Sequence, residues 1–277
     1  MNKIKILFYI LIFLIISGCS KKELKEYKKD INYFDSNITV KLYTSSKDKA
    51  DNTFDYIEGI YKKYGSLLDK DNSDSEISYI YNNEDNDKKI KLSEDMANLI
   101  EYGLKLYSDS NHVLNIFNDM DKVKIKNNVL DNNHIEIDFD KYIKGYINKL
   151  IKEYLERVHI DYYFINTGSE IIVGKNVNNE DYIVGIANPF NDDMLKVFKI
   201  QNKYISIKSI YHDQYNNNEM VSVVVMGDDI YNTELAANLL FINDYYDGKE
   251  IAKKYNVDVI WCYKDNKGNE VIKSNME

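Results

Sequence analysis

The order of apolar patterns along the chain predicts an α+β fold, with mixed, largely antiparallel sheets and helices packed on them. Two observations carry that prediction. Amphipathic helical stripes fill the first half of the chain, and a succession of short apolar runs separated by turn residues fills the second. No internal repeat of fixed period competes with this reading. The 277 residues, 44% of them hydrophobic, can bury a core as one large domain or two small ones.

The N-terminus reads "MNKIKILFYILIFLIISGCSKK", with Lys3 and Lys5 ahead of an apolar run from Ile6 to Ile16, then Ser17-Gly18-Cys19. The run is short for a membrane span, and small residues precede the cysteine, as in a secretory signal. Residues 1–18 are expected to be a lipoprotein signal peptide and Cys19 the lipidated (palmitate-bearing) N-terminus of the mature chain. An uncleaved anchor helix is the other reading. Both place the working domain outside the cytoplasmic membrane and tethered to it. Residues 19–32 are charged and aperiodic and read as the tether, leaving 33–277 as the folded domain.

"NITVKLY" alternates Ile38, Val40 and Leu42, a half-buried strand. Phe54, Ile57, Ile60, Tyr61, Tyr64, Leu67 and Leu68 keep helical spacing from Lys49 onward, and "SDSEISYIYNNEDNDKK" then reads as a polar connector. Ser93 opens a second helix with the stripe Met96, Leu99, Ile100, Leu104 and Tyr107. The third helix follows "DFDK", with Tyr142, Ile143, Ile147, Leu150, Ile151, Tyr154, Leu155 and Val158 in threes and fours. Its first turn carries Lys144-Gly145, and glycine there costs roughly 1 kcal/mol against alanine. Strands are predicted at "YYFIN", "EIIVG", "DYIVGIA", "MLKVFKI", "KYISIKS" and "MVSVVVM". Helices "NTELAANLLFI" and "KEIAKKY" and a last strand "VDVIWCY" complete the chain.

A net charge of −9 excludes a phosphate-tracking surface for nucleic acid. Beyond Cys19 the only cysteine is Cys262, inside an apolar run, so it is expected as a buried thiol outside any disulfide framework. His112, His134, His159 and His212 share no metal-ligand spacing.

Several short signals stand in a telling order: "DSEIS" (Asp74 to Ser78), "NHVLNIF", "DFDKYIKGY", "FINTGSEIIVG", "YIVGIANP", "YISIKSIY" and "VSVVVMGDDIYNTELAANLLF". The series resembles the bacterial FAD:protein FMN transferases, lipoproteins first described in connection with thiamine biosynthesis, over roughly residues 33 to 260. The resemblance implies two pseudo-halves of one α+β domain with a flavin cleft between them. It also implies FAD as substrate, Mg²⁺ at its diphosphate, and a flavin-accepting exported or membrane protein as partner. A Thr or Ser hydroxyl of that partner attacks the FMN phosphorus and AMP leaves. Chemistry of this kind asks the protein mainly to position groups and neutralise charge.

Carried over residue by residue, the resemblance places Asn115, Asp138, Lys144, Gly145, Asn166 and Gly168 at the flavin. Asp138 matches a ligand-contacting aspartate, and Asn115 stands where the family has aspartate. A glycine at a helix start lets backbone N–H groups approach a phosphate, and the adjacent lysine adds charge. An ordinary tolerated glycine is the alternative there, as a simple hairpin turn is at Gly168 and a helix cap at Ser75-Glu76. Inside the motifs Asp140 and Ser169 replace family glycines, and Glu170 replaces an aspartate.

The family's Ala-Asp-Ala-Leu-x-Thr-Ala helix supplies a carboxylate and a hydroxyl for a hard cation. Aligned without gaps, Thr233 falls at the aspartate and Ala237 at the threonine, so both side-chain ligands are gone. Glu234 is one residue away, a rotation of about 100° around a helix. Thr233 followed by Glu234 reads as an N-cap with an acidic first turn. A family loop with paired histidines is also missing between Ser209 and Val221. Two functions therefore remain in view: the FMN transferase, and a catalytically inactive, lipid-anchored flavin-binding or scaffold protein.

Overall fold

The computed structural model describes residues 23–34, 36–83, 89–114, 116, 123–131, 136–178, 180–210 and 220–276. The expected signal peptide, Cys19, Asn115, His134, His212 and most of the short turn after Ser209 lie outside the described residues.

β1 (Lys25–Tyr33) pairs antiparallel with β2 (Ser36–Thr44), from Lys25 opposite Thr44 to Tyr33 opposite Ser36. Most of the expected 19–32 tether is therefore a strand. Tyr27, Lys29, Ile31 and Tyr33 share its less exposed face. Lysines along a sheet edge guard it against further pairing and also mask the period of two. Ser46 caps α1 (Lys47–Leu67), accepting the Lys49 N–H at 3.3 Å, and the helix buries Phe54, Ile57, Ile60, Tyr61 and Tyr64.

The expected connector contains a short helix, α2 (Glu76–Tyr81), because Ile77 and Ile80 are fully buried. Ser75 caps it, accepting the Ser78 N–H at 3.2 Å. The Glu76 carboxylate accepts the Ser93 N–H at 2.7 Å and its hydroxyl at 2.6 Å, which fixes the start of α3 (Glu94–Asp109). The capping reading of Ser75-Glu76 thus holds. β3 (Lys89–Lys91), β4 (Lys124–Lys126) and β5 (Val129–Asp131) form a small separate sheet in the order β3-β5-β4. A single 3-10 turn, Phe139–Lys141, leads into α4 (Ile143–Arg157).

The expected strands follow as β6 (Tyr163–Asn166), β7 (Glu170–Val173), β8 (Tyr182–Ala187), β9 (Met194–Ile200), β10 (Lys203–Ser209) and β11 (Met220–Gly227). Then come α5 (Ile230–Ile242), α6 (Tyr245–Tyr255), β12 (Asp258–Lys264) and β13 (Glu270–Ser274). Eight strands make one antiparallel sheet in the order β1-β2-β6-β7-β10-β11-β12-β13, and β8 with β9 forms a hairpin. The fold is α+β, as the pattern order predicts.

Helices cover one face of the sheet. The first four share a core with β2, β6 and β7, while α5 and α6 pack Ala236, Leu240 and Ala252 on β11 and β12. On the other face the hairpin's Val184, Ile186, Phe198 and Ile200 pack against Ile171, Ile205 and Val224. Cys262 lies in that second core, where burial pushes its thiol up to about 12. Among the described residues, no helix is long and apolar enough to cross a membrane.

Candidate functional site

A cleft of about 570 Å³ opens between the hairpin and the large sheet. One wall is the turn from Asn166 to Ser169 with Ile171, Ile207, Ser209 and Ser222 of the sheet; the other runs from Gly185 to Asp192. Three separated motifs of the sequence, "INTGSE", "GIANP" and "IKS", thereby meet in one place. The first turn is tightly fixed. The Asn166 carboxamide oxygen accepts the Gly168 N–H at 2.8 Å, and the Thr167 N–H donates to the Glu170 carbonyl at 2.8 Å. Gly168 has φ +92, a left-handed conformation that side chains resist, and the space where a Cβ would point is open.

Lys144 reaches this turn from α4. Its Nζ stands 3.3 Å from Ser36 Oγ and 3.4 Å from Ser169 Oγ. No side chain caps α4 at Tyr142, so its first-turn N–H groups keep the partial positive charge of a helix start. A lysine in that turn adds to the same sign. The combination favours an anion.

Lys144, Asn166 and Gly168 therefore converge through Ser169. Asp138 precedes the 3-10 turn; its carboxylate pairs with Lys141 at 3.3 Å, and its N–H donates to the Ile116 carbonyl at 2.9 Å. Gly145 has a different reason from the expected one. A Cβ there would come within 2.7 Å of Glu234 Cγ, so this glycine makes room for a carboxylate side chain of α5.

That carboxylate belongs to a buried ionic cluster behind the turn, which sequence reasoning did not assemble. Glu234 accepts a short hydrogen bond from the Tyr204 hydroxyl. Its other oxygen, Oε2, lies 3.3 Å from Lys208 Nζ, within ion-pair reach though not aligned as a hydrogen bond. Glu170 accepts from Thr167 Oγ1 at 2.6 Å and from Ser169 Oγ at 3.0 Å. Two signals could have pointed here: a lysine inside the alternation "YISIKSI", and one glutamate in a helix whose every turn is apolar. Ser209 and Ser222, also missed, face each other across β10 and β11.

Burial first, then the Glu234 charge, raises the Glu170 carboxyl above its ordinary 4.5. A carboxyl raised in the folded state holds its proton better there than in the unfolded chain. Its stabilising contribution is full below pH 4.5 and is lost as pH rises through the folded value. Glu170→Gln is expected to flatten that fall. Urea midpoints measured from pH 4.5 upward check it, and an identical pH profile in the variant would place the slope on other groups.

The residues do not fit a divalent cation. Thr233 is fully buried, and its hydroxyl donates to the Asp229 carbonyl at 2.6 Å inside α5; the cap is Asp229, which accepts the Asn232 N–H at 2.8 Å. The expected N-cap at Thr233 is thus corrected by one helical turn. Ala237 is buried against the sheet. Glu234 is the carboxylate that α5 aims at the cluster, and both of its oxygens are already engaged. Among the described residues, no three His, Cys, Asp or Glu side chains gather. A separate cavity of about 360 Å³ is lined by Lys152, Lys175 and Lys203, each paired with an acid (Glu156, Asp161 and Asp228), so it offers an anion little.

Residues 117–261 match the model of the ApbE family. The chain belongs to the ApbE family. The fold agrees along nearly the whole chain. The flavin transferase ApbE from Vibrio cholerae superposes with a TM-score of 0.76 at 13% identity, covering 91% of this chain and 97% of that one. The apo flavinyl transferase ApbE of Pseudomonas stutzeri gives 0.75 at 14% identity, covering 91% and 96%. The ApbE protein of Thermotoga maritima gives 0.76 at 11% identity, covering 90% and 97%. At such identities these matches speak for the shared fold. No curated protein sequence matches. Within the ApbE frame, the matched segment holds every described candidate residue from Asp138 to Gly168, together with Glu170, Lys208 and Glu234.

Proposed function

We propose that this ApbE-family chain is a flavin transferase that moves FMN from FAD to a Thr or Ser hydroxyl of a partner protein. The observation that carries the reading is Lys144, set in an uncapped helix start and held against the Gly168-Ser169 turn on the wall of the cleft. An ammonium, a helix start without a side-chain cap and a glycine turn suit a diphosphate. The partner's hydroxyl oxygen forms a bond to the FMN phosphorus. The bond from that phosphorus to the AMP oxygen breaks, AMP leaves, and the hydroxyl proton passes to solvent. Lys144 steadies the charge that gathers on the departing phosphate. Asn166 and Gly168 hold the turn that shapes the wall, and no step runs through a bound metal, because the residues present do not hold one.

With lipidated Cys19, the protein would work on the outer side of the cell membrane, and its acceptor would be an exported or membrane protein. A second reading, a lipid-anchored flavin-binding protein without transfer chemistry, rests on Thr233 and Ala237 facing the core rather than the site.

The test is direct. The purified mature chain is expected to quench FAD fluorescence on titration, and a flavin-accepting protein incubated with it and FAD should gain the mass of FMN. Binding without the adduct selects the second reading. No quenching at high micromolar protein removes both.

A further inference from the structure

We propose that the Lys208 ammonium is a built-in replacement for a divalent cation at this site, so that the protein takes up FAD without Mg²⁺. The ligand in that statement rests on the flavin reading above; the cation exchange stands on the buried cluster itself.

Lys208 lies in β10 and is 8% exposed, where lysine is found only when it is matched. Its Nζ is 3.3 Å from Glu234 Oε2, and the second oxygen of that carboxylate takes the Tyr204 hydroxyl. Glu170 stands in the same cluster, with the charges of Glu234, Lys208 and Lys144 all acting on it. Among the described residues of the cluster, two carboxylates are matched in formal charge by two ammonium groups, Lys208 paired with Glu234 and Lys144 acting on Glu170 from farther off. A divalent cation would have to displace the Lys208 ammonium from Glu234 and set two buried cations side by side, a costly exchange. It would also find few free oxygens, whereas such ions ask for six or more. Any proton that Glu170 holds moves the balance further from needing one.

Ser169 connects the cluster to the cleft. Its hydroxyl lines the cleft, donates to Glu170 at 3.0 Å and receives Lys144 at 3.4 Å. Without Lys208, two buried carboxylates would stand behind the diphosphate's wall with the Lys144 ammonium beyond ion-pair distance of both. Neutralising those carboxylates is the service a divalent ion would otherwise render.

The experiment has two arms. FAD affinity of the wild-type chain is measured in EDTA and in millimolar MgCl₂, and the two dissociation constants should agree within about twofold. Tightening by about tenfold or more with Mg²⁺ overturns the proposal. In the second arm, without FAD, Mn²⁺ binding is followed by electron paramagnetic resonance for wild type, Lys208→Ala and Lys208→Gln. Wild type should leave Mn²⁺ free, while a variant that vacates the ammonium's place should bind it. Mn²⁺ held by wild type, or no gain in either variant, overturns the proposal. Should both variants fail to fold, the wild-type measurement still decides. Should FAD fail to bind under either condition, the flavin reading falls while the Mn²⁺ arm continues to test Lys208.

Discussion

Lys144→Met is expected to slow FMN transfer by about 10²-fold or more while leaving the chain folded. The side chain is well placed for both halves of that statement. Its hydroxyl partners stand at 3.3 and 3.4 Å, at the long limit of hydrogen bonding, and among the described residues no carboxylate lies within ion-pair distance of it. An ammonium so loosely engaged contributes about 1 kcal/mol or less to folding. Set behind the Ser169 hydroxyl that lines the cleft, the same charge is expected to stabilise a departing phosphate far more than it stabilises the protein. Transfer rates from adduct mass spectrometry, set beside a denaturation midpoint, separate the two. The loss should fall mainly in kcat. A planar guanidinium does not occupy the place of a point charge, so Lys144→Arg should recover only part of the rate. If the methionine variant transfers FMN at the wild-type rate, Lys144 has no part in the reaction and the cleft must bind the flavin by other groups.

How far the sequence alone reaches can be read from particular residues. Helix stripes and strand alternation were legible because they depend on neighbours three, four or two positions away. The same holds for the Ser93 cap, which bonds its own helix start at Met96. β1 was not legible, since its lysines erase the alternation that Tyr27, Ile31 and Tyr33 keep. α2 was lost inside a polar stretch because Ile77 and Ile80 are its only fully buried hydrophobics. The order of motifs brought Lys144, Asn166 and Gly168 into view, and the fold gathers them at one turn. Legible there were a lysine in the first turn of a helix and a glycine between two strands; the missing cap and the left-handed φ of Gly168 came only with the structure. Gly145 shows the limit. Its reason is Glu234, a residue of a distant helix, and no periodicity in either segment announces that contact. Thr233 shows the same limit from the other side. A gapless alignment set it at a ligand position, while a cap at Asp229 turns its hydroxyl into the helix and gives the place against Gly145, in the buried cluster, to Glu234.

Removing that glutamate carries the largest expected cost in stability. Glu234→Leu should destabilise the fold by about 3–5 kcal/mol, because it takes a carboxylate away from the buried Lys208 ammonium and the acceptor away from the Tyr204 hydroxyl. Side-chain exposures of 3% for Glu234 and 9% for Lys208 leave little solvent to soften the loss. Glu234→Gln keeps the shape beside Gly145 and an oxygen for Tyr204, so the difference between the two variants measures the hydroxyl's share. Combining Glu234→Leu with Lys208→Met removes both charges together. Apolar replacement of a whole buried pair is often neutral, so the double variant should regain most of what the single one loses. Urea denaturation of the four corners of this cycle gives the coupling between residues 234 and 208. A strong favourable coupling is the outcome that fits an ammonium placed where the fold requires a cation. A coupling near zero would mean that the 3.3 Å contact carries no energy, and the cluster would then have no internal cation to spare it a metal.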